Sequence, residues 1–264
     1  QINKIGVIGS GIMGSQIADF FLASGFNVVL YSRKKEGIII YLEKTKSKDS
    51  QRLKTPSNLS DLKNCDFIIE SIAEELKSKQ EMFEKTEKIC KEGCIIASNT
   101  SSIPLSQISK NCRRKENIVG FHFSNPVKHM KLVEVITTEF TSDETLKMAQ
   151  ELAVKTGKEP IVVNDTPGFI LNRVLFCMLN EAANMLHAGI ASKENIDSAM
   201  VLGAGHPIGP FKIMDLIGID VTLKILENMH NNTHDSKFVP SPIFAVMVNK
   251  GKLGRKSKSG FYDY

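Results

Sequence analysis

"IGVIGSGIMGSQIADFFLASG" (5–25) decides the reading of the fold. Gly9, Gly11 and Gly14 stand in G-x-G-x-x-G spacing, directly after an apolar run and at the opening of an amphipathic helical pattern. The hexapeptide alone is weak, but between a strand and a helix it has the context that a dinucleotide-binding turn needs. Gly9 allows the tight turn, Gly11 lets the backbone approach a pyrophosphate, and Gly14 permits close packing of helix on strand. The helix N-terminus then offers free N–H groups and partial positive charge to phosphates.

Outward from this turn the pattern repeats. Short apolar runs recur at "KIGVIG" (4–9), "NVVLY" (27–31), "DFIIES" (66–71), "CIIASN" (94–99), "NIVGFH" (117–122), "LVEVI" (132–136) and "PIVV" (160–163). Continuous apolar runs of this length suit strands buried on both faces. Helical patterns lie between several of them, such as "LKSKQEMFEKTEKICKEG" with its terminal glycine. Strands alternating with helices predict an α/β fold with a Rossmann-type, doubly wound, mostly parallel sheet over residues 1–164, shortened after its second strand. From 165 to 264 the patterns are helical only and predict an all-helical C-terminal domain. "DTPGFILNRVLFCMLNEAANMLHAG" reads as a long helix opened by Asp165 or Thr166 as cap, with Pro167 at its first position and Gly189 closing it.

The 264 residues are 42% apolar and 24% charged, the balance of a globular protein rather than a disordered one. No apolar run approaches the ~18–20 residues of a membrane span and no signal peptide is legible, so no membrane association is expected. Five scattered cysteines, Cys65, Cys90, Cys94, Cys112 and Cys177, suit reduced thiols in a cytoplasm better than a disulfide framework. No metal site is expected, because Cys90 and Cys94 have no two further ligands nearby in sequence. Residues 33–54 hold eight basic residues against three acidic ones, an excess equal to the whole net charge of +5. Such a face favours phosphate-bearing ligands, although a lysine-rich solvated surface accounts for it equally well. Nucleic acid is not expected, since aromatic residues are almost missing from the cluster and no nucleic-acid motif is present.

"VVLYSRKKEG" (28–37) departs from the usual dinucleotide pattern. An acidic residue normally ends this strand and binds the ribose 2′-hydroxyl of NAD; here Ser32 and Arg33 follow it. A carboxylate would repel a 2′-phosphate. Ser32 can donate a hydrogen bond to one, Arg33 can pair with it, and Lys34 or Lys35 adds charge. NADP is therefore favoured over NAD; the alternative is that Ser32 merely weakens NAD binding while the cations face solvent.

"ASNTSS" (97–102), "GFHFSNPV" (120–127), "MKLVEVI" (130–136), "DTPGFILNR" (165–173), "LGAGHPIGPF" (202–211) and "GKLGRKSKSGFYDY" (251–264) occur in one order. Together they resemble the L-3-hydroxyacyl-CoA dehydrogenases, including the bacterial 3-hydroxybutyryl-CoA dehydrogenases, over nearly the whole chain. The resemblance implies reversible hydride transfer between a nicotinamide cofactor and C3 of a short acyl-CoA.

The residues make sense of that chemistry themselves. Oxidising a secondary alcohol needs a base for the hydroxyl proton, and the reverse needs an acid. His122 ends a buried strand, at the edge where α/β sheets place ligands, although a lone histidine there is more often structural. Glu134 interrupts an apolar strand, where an unpaired carboxylate is costly. A His122–Glu134 pair accounts for both, with Glu134 orienting the imidazole and stabilising its protonated form. The resemblance assigns the same roles. It further implies that Ser101 hydrogen-bonds the substrate 3-oxygen, that Asn172 helps position substrate, and that Asn125 contacts the thioester region. Glu74, Lys79 and Lys256 are implied as cofactor contacts. His129, His187, His206, His230 and His234 have no comparable partner and read as structural or surface residues.

Between Ser32 and "NCDFIIE" the chain is several helical turns shorter than the family pattern, in a hairpin that contacts CoA in relatives. The acyl group is then carried either by CoA or by acyl carrier protein, both of which present a phosphopantetheine thioester. A non-catalytic nucleotide-binding protein is the reading from another class, and the Ser, His, Glu and Asn set argues against it. The resemblance also implies a homodimer formed through the helical domain.

Overall fold

The glycine turn joins β1 (Lys4–Ile8) to α1 (Ile12–Ala23), and β2 (Asn27–Tyr31) returns parallel to β1. The computed structural model describes residues 2–45 and 51–264; Lys46, Lys48 and Asp49 of the basic stretch lie outside them. Two compact units divide the chain at Phe169 and Ile170.

In the first unit, β3 (Leu53–Lys54), β4 (Phe67–Glu70), β5 (Ile95–Ser98), β6 (Ile118–Phe123), β7 (Leu132–Thr137) and β8 (Glu159–Asn164) complete one sheet in the order β3-β2-β1-β4-β5-β6-β7-β8. The pairings from β3 through β6 are parallel; β7 runs antiparallel to β6, and β8 is parallel to β7. This is the doubly wound, mostly parallel sheet that the alternating pattern predicts. β3 has no counterpart among the apolar runs: two residues at a sheet edge, only half-buried, leave no periodic signal.

Alternate residues of each strand feed two cores. Ile5, Val7, Val28, Phe67, Ile69, Phe121, Val133 and Val135 pack on one face, under α1 and α5 (Asp143–Lys155). Ile8, Ile68, Ile96, Ile118 and Ile136 pack on the other, with Phe83 of α3 (Leu76–Ile89) and Leu105 of α4 (Leu105–Ile108). The two-residue period of a strand puts Glu70, Ser98, His122 and Glu134 on this second face, in register with those apolar residues. An eleven-residue helix, α2 (Lys35–Thr45), follows the basic strand end. α3 stops at Ile89, four residues before the glycine that its sequence pattern suggests.

The helix expected to open at Asp165 or Thr166 starts instead at Leu171. Gly168 and Phe169 both take left-handed backbone (φ 77° and 49°), which a right-handed helix cannot include. The Asp165 carboxylate is used elsewhere: it accepts the N–H groups of Leu105 (2.7 Å) and Ser106 (2.9 Å), capping α4.

The second unit is helical: α6 (Leu171–His187), α7 (Lys193–Ala204), α8 (Pro210–Ile217), α9 (Ile219–Thr233) and α10 (Pro242–Asn249). Phe176, Leu179, Phe211, Met214, Leu226 and Phe244 are among its core. Gly189 (φ 69°) follows α6, as its sequence suggests, and Gly218 (φ 107°) separates α8 from α9. Two buried aspartates fasten the chain end onto these helices. Asp215 accepts from the N–H groups of Phe261 and Tyr262 and from the Tyr264 hydroxyl, at 2.8, 2.9 and 3.1 Å. Asp197 accepts from the Phe211 N–H (2.8 Å) and the Tyr262 hydroxyl (2.9 Å).

Candidate active site

The glycine turn is shaped as its spacing predicts. Gly9 has φ +113°, and a Cβ there would meet the Ser71 carbonyl oxygen at 2.4 Å. A Cβ on Gly14 would lie 2.0 Å from the Gly9 carbonyl oxygen, so only glycine lets α1 start this close to β1. Gly11 faces open space, with nothing within 4 Å of a built Cβ, and caps α1 without a side-chain hydrogen bond. The first turn of α1 therefore presents its N–H groups outward, a geometry that fits the pyrophosphate of a dinucleotide.

At the next strand end, the Ser32 hydroxyl accepts from the Lys34 N–H (3.3 Å) and keeps its own hydrogen to donate. Arg33, Lys34 and Lys35 are exposed, and no carboxylate among the described residues pairs with them.

Antiparallel pairing of β6 and β7 sets His122 directly opposite Glu134. Cross-strand neighbours have Cβ atoms about 5 Å apart, which brings their side chains into reach. His122 Nδ1 lies 2.8 Å from Glu134 Oε2, and both side chains are buried. A carboxylate only accepts, so Nδ1 carries a hydrogen, and in the neutral ring Nε2 is then the nitrogen with the lone pair. Nε2 faces the Ser101 hydroxyl at 3.1 Å. The Phe169 ring packs on the imidazole, centroids 5.5 Å apart, delivered there by its left-handed backbone. Glu134, His122 and Ser101 thus form one hydrogen-bonded chain, able to take up or release a proton at Nε2.

Ser101 is held from below. The Glu74 Oε1 atom accepts from the Thr100 hydroxyl (2.7 Å), the Ser101 N–H (3.0 Å), and the Ser102 N–H (2.9 Å) and hydroxyl (3.1 Å). Burial by itself raises the Glu74 carboxyl, but the Lys79 charge and these donors outweigh it and hold the group below the ordinary value. Lys79, only 1% exposed, pairs with Glu70 (2.7 Å) and Glu74 (3.2 Å). Glu70 has no role in the sequence reading. The one signal for it is a carboxylate ending the apolar run "DFII", the same kind of signal that singles out Glu134.

Asn125 lies in the loop 124–131 and precedes a cis peptide to Pro126. Gln16 of α1 donates to Asn125 Oδ1 (3.1 Å) and accepts from the Val127 N–H (2.9 Å). Buried Lys158 donates to the carbonyls of Val127 and Met130, the latter at 2.6 Å, and lies 4.4 Å over the Phe20 ring. Burial pushes its ammonium below the usual lysine value. In the second unit, half-buried Asn172 stands in the first turn of α6, and Lys256 is ion-paired with Asp220 at 2.5 Å. Among the described residues no cluster of three or more histidine, cysteine or acidic side chains could hold a metal ion, and no helix is long and apolar enough to cross a membrane.

Both halves of the chain match family models: the NAD-binding domain of 3-hydroxyacyl-CoA dehydrogenase over residues 4–166, and the C-terminal domain of the same family over 168–264. The chain is 41% identical to a 3-hydroxybutyryl-CoA dehydrogenase of Clostridioides difficile, covering 99% of each protein. It is 43% identical to a probable 3-hydroxybutyryl-CoA dehydrogenase of Deinococcus radiodurans, covering 99% of this chain and all of that one. The crystal structure of (S)-3-hydroxybutyryl-CoA dehydrogenase from Ralstonia eutropha superposes with a TM-score of 0.91 at 36% identity, covering 100% of this chain and 99% of that one. With both domains matched end to end, this chain belongs to the 3-hydroxyacyl-CoA dehydrogenase family.

Proposed function

We propose that the protein is a short-chain L-3-hydroxyacyl-CoA dehydrogenase interconverting 3-hydroxybutyryl-CoA and acetoacetyl-CoA. The observation that carries this reading is the buried Glu134–His122–Ser101 chain at the strand end. The names of the full-length relatives supply the substrate class. The glycine turn fits a nicotinamide dinucleotide, which when bound exchanges hydride with C3 of the acyl chain. Gly9, Gly11 and Gly14 hold its pyrophosphate, while Ser32 and Arg33 take a 2′-phosphate, so NADP is preferred over NAD. Glu74, Lys79 and Lys256 are assigned to cofactor binding, the first two from within a buried network and Lys256 from its motif.

His122 Nε2 takes the 3-hydroxyl proton in oxidation and returns it in reduction. Glu134 accepts from Nδ1 throughout and stabilises the imidazolium that forms. The Ser101 hydroxyl, 3.1 Å from Nε2, holds the substrate oxygen on the side where the proton moves. Asn125 is assigned to the thioester and Asn172 to substrate positioning, both from their motifs. Large exposed apolar residues on the helical unit, Val174, Ile190, Leu202 and Leu216, support a homodimer through that unit. Five free, scattered cysteines support a cytoplasmic setting.

The test is reduction of acetoacetyl-CoA by the purified protein, with NADPH and NADH compared by kcat/KM. Turnover favouring NADPH supports both the reaction and the Ser32–Arg33 reading, whereas turnover favouring NADH keeps the reaction and removes the cofactor preference. The alignment with the Clostridioides difficile protein spans 278 positions against the 264 residues here, so this chain is shortened within it. That observation supports a second reading, in which the acyl group arrives on acyl carrier protein. Turnover of an acyl-carrier substrate with acetoacetyl-CoA inert would select it.

A further inference from the structure

We propose that Glu70, Lys79 and Glu74 form a buried clamp that positions Ser101 against His122, with Glu70 as a positioning residue of the reaction. The inference rests on the proposed function for its kinetic consequence, and on geometry alone for the clamp.

Glu70 is completely buried at the end of β4 and spends both carboxylate oxygens. Oε1 accepts from Lys79 Nζ and from the Ile72 N–H, each at 2.7 Å; Oε2 accepts from the Ser98 hydroxyl at 2.7 Å. The Ser98 oxygen in turn accepts the Thr100 N–H (3.1 Å). Lys79 reaches across to Glu74 Oε2, leaving Glu74 Oε1 to gather Thr100, Ser101 and Ser102. Two routes therefore run from Glu70 to the turn that carries Ser101: one through Lys79 and Glu74, one through Ser98 and Thr100.

Stability alone gives little reason for this arrangement. A buried ion pair is often matched or bettered by apolar residues of the same volume. What two carboxylates around one ammonium supply is geometry: each member is fixed by charged, directional contacts on more than one side. Ser101 sits at the one place where such rigidity matters to chemistry, its Oγ 3.1 Å from Nε2. Displacing a reacting group by about 1 Å can cost on the order of 100-fold in rate.

The variants are Glu70→Gln, which keeps shape and removes charge, and Ser98→Ala, which removes the hydroxyl joining Glu70 to the Thr100 N–H and leaves Lys79 and Glu74 untouched. Crystal structures of both are compared with the wild type, alongside kcat and KM for acetoacetyl-CoA reduction. The expected result for Glu70→Gln is a Ser101 Oγ displaced from His122 Nε2, kcat lowered about 10- to 100-fold, and KM for both substrates within about threefold. Ser98→Ala displaces the same turn through the second route alone, with a smaller fall in kcat and KM likewise within about threefold. An undisplaced Ser101 in a folded variant overturns the clamp whether or not the wild type turns over acetoacetyl-CoA, which separates it from failure of the proposed function. So does wild-type kcat in either variant. Should Glu70→Gln not fold, Ser98→Ala decides by the same two measurements.

Discussion

Glu134→Gln isolates the role of the carboxylate behind His122. The exchange preserves volume in a site where the Glu134 side chain is 1% exposed and the two partners lie 2.8 Å apart. A hydrogen bond to a charged group contributes about 1.5–3 kcal/mol net. With each 1.4 kcal/mol worth a factor of ten, losing it as the imidazolium forms costs about 10- to 100-fold in kcat. The tautomer adds to this. If the glutamine amide turns its NH2 toward Nδ1, the ring hydrogen moves to Nε2, which then cannot accept the substrate proton; the corresponding Asp-to-Asn change in a serine protease costs about 10⁴ in kcat. The expected fall in kcat is therefore about 10 to 10⁴, the upper end if the tautomer switches, with cofactor affinity, read by fluorescence titration, within about threefold of wild type. Circular dichroism and Tm establish that the variant is folded. A folded Glu134→Gln enzyme with kcat within about threefold of wild type would refute the reasoning.

Ser32→Asp restores an acidic strand end, and it should lower kcat/KM with NADPH at least about tenfold while improving it with NADH; an unaltered ratio removes Ser32 from cofactor selection. Gly14→Ala places a methyl 2.0 Å from a backbone oxygen, so the turn must move; if the usual overpacking cost of about 1–3 kcal/mol falls on the binding geometry, cofactor binding by calorimetry weakens roughly 5- to 150-fold. Asp215→Ala strips the acceptor from two N–H groups and a hydroxyl and should cost about 3–5 kcal/mol in urea unfolding, and a loss under about 1 kcal/mol would show the chain end to be held by other contacts. The folded Glu74 carboxyl lies below its ordinary value of 4.5, so it binds a proton less readily than in the unfolded chain. Its contribution is present above about pH 4.5 and lost as pH falls through the lower folded value. The stability gap between wild type and Glu74→Gln, measured at pH 7, should shrink below pH 4.5; a gap constant down to pH 3 contradicts this.

Long, locally encoded features were legible in the sequence. The apolar runs mark seven of the eight strands, and the glycine spacing anticipates a turn in which Gly9 and Gly14 have no room for a Cβ. His122 and Glu134 stand out because each is a polar residue in an apolar run, and the sheet pairs them in register. What escaped depends on partners distant in sequence. Glu70 reads only as a strand end and Lys79 only as a cofactor contact implied by the resemblance, until β4 and α3 bring the two together in a buried ion pair. Asp165 carries the signature of a cap for the helix that follows it, yet it caps α4, sixty residues back in the chain, a competition that local pattern cannot resolve. α2 went unread because its "GIII" core exposes Ile39 and Ile40, so no amphipathic period marks it.

The antiparallel junction between β6 and β7 has a consequence for redesign. His122 and Glu134 face one another because backbone hydrogen bonds fix the register, and a one-residue slip would send either side chain through to the opposite face. The eight residues joining the two strands lie outside the paired register, which runs from Gly120–Ile136 to Phe123–Val133. Their own conformation is anchored separately, by Gln16 from α1 and by Lys158, the residue before β8. The connection is thus a module whose side chains can be varied while the pairing of His122 with Glu134 stays fixed by the sheet.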